Sequence, residues 1–153
     1  MDWGQLFFTF NGRINRAKYW IAVLVYAVIY IVLAILGYVT DDNAIYQAIN
    51  GMIGIVLFIS SLAVGVKRLH DRNKSGWYLV LFYIVPGILV TAGLVVGTVM
   101  EDSFVLASVL GLAAFAIGAW AFVEMGCLRG TMGPNQYGPD PLAAPSIPPA
   151  RAV

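Results

Sequence analysis

The chain has 153 residues, 60% of them hydrophobic and 11% charged, against roughly 45–50% and about 25% in an ordinary soluble domain. With a mean hydropathy of +0.82 it carries too little polar side chain to cover a water-facing surface, which excludes a soluble enzyme and a disordered regulator. The net charge is +1 and there is one cysteine, Cys127, so no basic field gathers nucleic acid, and neither a disulfide framework nor a cysteine zinc site is available.

In chain order, Trp3, Leu6, Phe7 and Phe10 recur at i, i+3, i+4 and i+7. This spacing predicts a short helix lying along the inner membrane interface, its aromatics in the acyl boundary. Asn11-Gly12 should end it, with Gly12 in a left-handed cap. A bilayer core of about 30 Å needs roughly 20 apolar residues of helix. Four uncharged or nearly uncharged stretches reach that length: about 19–39, 44–66, 77–100 and 103–128. The first is longer than a typical signal-peptide core of about 7–15 residues and no small-x-small site follows it, so it is expected to be retained. The expected fold is all-α: a four-helix transmembrane bundle with an N-terminal interfacial amphipathic helix. Residues 1–141 should form one membrane domain, and 142–153 a disordered Pro/Ala-rich tail.

Orientation follows from the basic residues. Arg13, Arg16 and Lys18 precede span one; Lys67, Arg68, Arg72 and Lys74 lie between spans two and three; Arg129 and Arg151 follow span four. The other two connections carry only Asp41, Asp42, Glu101 and Asp102. Cytoplasmic loops concentrate Lys and Arg, so both termini and the middle loop should be cytoplasmic, in an inner (plasma) membrane. The acidic turns suit helix N-termini, where Asp41, Asp42, Asn43, Asp102 and Ser103 can cap spans two and four.

Within the spans, Pro86-Gly87 should kink span three, as packing geometry or as a gate. Ala107, Gly111, Ala114, Gly118 and Ala121 share one face of span four, and Gly93 and Gly97 form a second small pair. Both suit close helix approach, inside the bundle or between two copies. Tyr26 and Tyr30 place hydroxyls at mid-membrane depth; partners such as Thr91 or a backbone carbonyl are expected, with a pore lining as the other reading. Glu124 is the one carboxylate in an apolar run, and such charges are often functional. Pairing with a middle-loop cation explains it more simply than proton or cation coupling.

Three polar clusters remain: Gly12-Arg13-Ile14-Asn15-Arg16; Arg68-Leu69-His70-Asp71 followed by Ser75-Gly76-Trp77; and Asn135-Gln136-Tyr137-Gly138-Pro139-Asp140-Pro141. In this order, across residues 3 to 141, they resemble the Gly-Arg-x-x-Arg, Arg-Leu-His-Asp-x-x-x-Ser-Gly-Trp and Asn-x-Tyr-Gly-x-Asp-Pro signature of a widespread bacterial family of small four-span inner-membrane proteins of uncharacterised function. The resemblance implies an integral inner-membrane protein and brings no reaction, ligand or cofactor.

The topology brings the clusters to one plane. Arg13, Arg16, Arg68 and Arg72 offer bidentate donors, and Asp71 and Asp140 offer carboxylates. Asp71 can pair with Lys67 or Arg68, and Asp140 can reach Arg13 or Arg16. Together with His70, Asn135 and Tyr137 they form either a polar lid that fixes helix order or a site for an anionic headgroup or phosphorylated ligand. Catalysis is poorly served. His70 is the only histidine, Cys127 reads as a half-buried structural thiol, and there is neither a nucleophile elbow nor a metal-ligand cluster. His70 with Asp71 could respond to pH. The leading expectation is therefore a non-catalytic module, with no cofactor, binding anionic headgroups or a protein partner through this face. A transporter or channel component using Glu124, Tyr26, Tyr30 and Pro86 is the alternative. Membrane lipids, a second copy or another membrane protein are the expected partners, and nucleic acid is not.

Overall fold

Asn15 and Asn43 set the first two spans. Each side-chain oxygen accepts a backbone N–H three residues on, from Lys18 and Tyr46, at 2.9 Å, the standard way to satisfy a free donor at a helix start. The structure, a computed structural model, describes residues 2–40, 43–99 and 103–143. Helix α1 covers Trp3–Phe8, α2 Arg16–Val39 and α3 Ala44–Asp71. A π turn at Val80–Ile84 leads into α4, Val85–Val99. Helix α5, Phe104–Phe122, runs into a second π turn at Val123–Cys127. The described residues are all-α, and four of the helical segments are long and apolar enough to cross a membrane. The expectations for Asp41, Asp42, Glu101, Asp102 and the tail from 144 on lie outside the described residues.

Several expectations change in detail. The first helix stops at Phe8, short of Asn11, because Thr9 is already extended. Gly12 does take a left-handed φ of +89°, but in the loop that carries Ile14 to its bond with the Lys67 carbonyl. Helix α1 packs on α3: Leu6 is buried with Ile14, Ala22 and Val64, while Trp3 stacks on Phe7, which meets Tyr26 edge-on. Helix α3 runs five residues beyond the apolar stretch, through Asp71, since its charged last turn is ion-paired within the protein. Span three answers Pro86 with a wide turn immediately before it: Val85 bonds back to Val80. An i−5 turn absorbs a residue that a regular helix could not place. Tyr26 finds Ser60 at 2.8 Å rather than Thr91, Thr91 donates to Gly87, and Tyr30 is exposed.

The α4–α5 hairpin is closely packed. A methyl on Gly93 would stand 3.3 Å from the Ala107 carbonyl, and one on Gly97 3.5 Å from the Ala107 Cβ. Ala114 and Ala121 are buried, but Gly111 and Gly118 face open space, so the small stripe of span four serves the hairpin only in part. Ser103 donates to Val96 across the turn. The two hairpins, α2–α3 and α4–α5, come together near the lid, where the second π turn packs on α2 and α3 and Leu69, Leu79, Phe82, Ala121 and Met125 form one core.

Candidate functional site

Span four ends at Cys127, and a helix end leaves its last carbonyls without partners. Side chains from the rest of the chain collect them. Arg68 donates through Nε to Met125 at 2.6 Å and through Nη2 to Leu128 at 2.5 Å. The Trp20 indole N–H reaches Gly126 at 3.0 Å, Arg16 reaches Cys127 at 3.3 Å, and Arg72 donates to the Arg129 carbonyl. Cations also suit the negative end of the helix dipole.

Asp71 is the hub. Its Oδ2 accepts Arg68 Nη1 at 2.6 Å, and its Oδ1 accepts Arg13 Nη2 at 3.1 Å and Nε at 3.2 Å. All three side chains are at most 2% exposed. Removing one partner from such a buried pair strands the other charge, which is costly. Gly130 lies against the hub: a methyl there would stand 2.0 Å from Asp71 Oδ2, so only glycine fits beside this carboxylate.

Arg13 also holds the exit segment. It donates to the carbonyls of Thr131 at 2.6 Å, Gly133 at 2.8 Å and Gly138 at 3.3 Å. Thr131 N–H returns a bond to the Asp71 carbonyl at 2.8 Å. Asn135 and Gly138 pair through their backbones in both directions, and Gly133 and Gly138 have φ of +74° and +136°, values that favour glycine. Asn135 donates to the His70 carbonyl at 2.9 Å and accepts Tyr137 N–H at 2.9 Å. The Tyr137 ring lies flat on the His70 ring, 3.7 Å between centroids.

The structure thus brings Arg13, Arg16, Arg68, His70, Asp71, Arg72, Asn135, Tyr137 and Asp140 to one end, with changed pairings. Lys67 turns from Asp71 to the carbonyls of Gln5 at 2.5 Å and Leu6 at 2.6 Å, at the end of α1. Asp140 spends its oxygens on the N–H groups of Gly133 at 3.0 Å and Leu142 at 2.9 Å rather than on Arg13 or Arg16. Those bonds, Leu142 first, hold its carboxyl below the usual value. His70 faces the Gly12 carbonyl at 3.3 Å instead of Asp71. Glu124 takes the expected middle-loop cations, Arg72 at 2.9 Å and Lys74 at 3.2 Å, and Lys74 also lies over the Tyr78 and Trp120 rings. Cys127 is exposed, not half-buried. Tyr26, Tyr30 and Pro86 stay outside this cluster, each with its own surroundings. Sequence reasoning did not single out Gly130, Thr131 or the carbonyls of 125–138: backbone acceptors leave no mark in a residue string.

Residues 7–139 match the model of a family described as protein of unknown function (DUF805). Among curated relatives, the chain is 28% identical to the inner membrane protein YhaH of Escherichia coli K12, over 95% of this chain and the whole of that one. It is 25% identical to the inner membrane protein YhaI of the same strain, over 86% and 85%. The uncharacterized protein YiiR, also of that strain, is 29% identical over 89% and 88%. No solved structure matches the chain.

Proposed function

From the premise that the chain belongs to the DUF805 family, is an inner-membrane protein like the relatives so named, and has four candidate spans, we propose a non-catalytic module. Its basic end faces the cytoplasm and meets anionic lipid headgroups. The carrying observation is a local excess of charge. Arg13, Arg16, Lys18, Lys67, Arg68, Arg72, Lys74 and Arg129 gather with only four described carboxylates, Asp2, Asp71, Glu124 and Asp140. Two of those carboxylates are each shared by two cations. Juxtamembrane cations are attracted to an anionic leaflet by about 1 kcal/mol each. Among the described residues, Arg16, Lys18, Lys67 and Arg129 form no ion pair.

Residues 1–141 act as one membrane domain in this reading, with both termini and the 67–76 loop on the cytoplasmic side. Cys127 offers a test, since it is the only thiol and is exposed. A membrane-impermeant maleimide should label it in inverted inner-membrane vesicles and spare it in right-side-out spheroplasts; the opposite pattern rejects the orientation. For the headgroup contact, nanodiscs mixing phosphatidylglycerol with phosphatidylcholine should yield protein enriched in the anionic lipid by native mass spectrometry. Equal retention of both lipids rejects it.

A further inference from the structure

One buried cation of the lid has no carboxylate. Lys67 is 2% exposed, and among the described residues its ammonium meets only neutral oxygens: the Gln5 and Leu6 carbonyls and, at 3.5 Å, the Thr9 hydroxyl. Arg13 and Arg68, equally buried, share Asp71. A buried charge facing only dipoles is held at a cost that a counter-charge would relieve. Nor is Lys67 sealed in. With Gln5, Thr9, Asn11, Arg13 and Lys18 it lines a polar cleft of about 200 Å³ between α1 and the 9–14 loop. Asp2 also lines the cleft, its Oδ1 accepting the Gln5 N–H at 3.1 Å as the cap of α1, so one carboxylate stands there against Lys67, Lys18 and Arg13.

We propose that this cleft binds the phosphate of a net-anionic compound, one whose charge no choline offsets, through Lys67 and Lys18, with Gln5 and Asn11 also on its wall. Lysine is a compact point charge suited to phosphate. The second polar cleft, about 150 Å³ beside Arg16 and Arg129, has Asp71 and Asp140 on its wall, and two carboxylates repel the same group. The inference rests on the headgroup reading for its setting: a lipid phosphate of the anionic leaflet is what this end would meet, and a soluble phosphate ester has the same chemistry.

The test uses full-length protein in two kinds of nanodisc: phosphatidylcholine with phosphatidylglycerol, and phosphatidylcholine alone with added glycerol phosphate. Native mass spectrometry reads the retained phosphate compound. Lys67→Gln keeps a donor for the α1 carbonyls and removes the charge; Lys18→Gln removes the outer charge. Each should lower retention by about tenfold, the ratio that loss of one charged hydrogen bond gives, while Gly118→Ala, in open space on α5, changes it less than twofold. Retention of glycerol phosphate with the same dependence upholds the cleft and assigns it a soluble ester. Equal retention of phosphatidylglycerol by the wild type and both lysine variants overturns the cleft and leaves the headgroup reading standing. No preference for phosphatidylglycerol in the wild type, together with no glycerol phosphate bound, overturns both. Circular dichroism checks folding, and if Lys67→Gln does not fold, Lys18→Gln decides.

Discussion

At the basic end a single side chain, Arg68, ties α3 to Met125 and Leu128 of span four and to Asp71, with no solvent exposure. At the opposite end the α4–α5 hairpin is drawn together by the approach of Gly93 to Ala107 and by a hydroxyl bond from Ser103 to Val96. The first region is held by a few directional, charge-assisted bonds between segments far apart in sequence. The second is held by many weak contacts between neighbours. Loss of one group should therefore be severe in the first and mild in the second.

The largest effect is expected for Arg68→Ala, which leaves Asp71 with Arg13 alone and frees the carbonyls of Met125 and Leu128. A loss of about 2–5 kcal/mol, from two carbonyls left without a charged donor, should appear as a sharp drop in melting temperature in detergent; a shift no larger than that of an exposed-arginine variant would dissolve the contrast. Gly130→Ala comes next. Its methyl must displace the Asp71 carboxylate or the exit segment, at about 1–3 kcal/mol, readable in the same melt. At the other end, Gly93→Ala should cost about 1 kcal/mol as the hairpin yields a few tenths of an ångström. Gly118→Ala, in open space, should stay within about 0.5 kcal/mol, so a difference between the two glycines would sharpen the picture.

The smallest effect concerns pH. Because the Asp140 carboxyl is held below its usual value, its support of the 133–142 turn is fully present above the ordinary Asp range, about 3.9. It fades only as pH falls through the lower, folded value. The Gly133 amide resonance should follow this change, and Asp140→Asn should abolish it.

The spans could be read from the sequence because hydrophobic length reports on the bilayer core. Glu124 was legible too: an isolated carboxylate near a basic loop has few other ways to be satisfied. The pairing of Arg13 and the retreat of Asp140 were not, since the main acceptors are backbone oxygens and N–H groups whose positions only the fold supplies. The π turn at Val123–Cys127 carries no residue signature, whereas the one before Pro86 is marked by the proline but not by its form. Helix α1 ended early because Thr9 left the helix, a choice the aromatic spacing could not report.

The hub joins residues 13, 68 and 71 to oxygens that arrive only between 125 and 138. During synthesis the guanidinium groups of Arg13 and Arg68 have Asp71 as a partner but lack their backbone acceptors until residues 125–138 have been delivered. A nascent chain halted before Thr131 would carry its spans but not its clasp. Closure of the basic end is thus tied to the arrival of residues 125–138, whatever order the spans take before it.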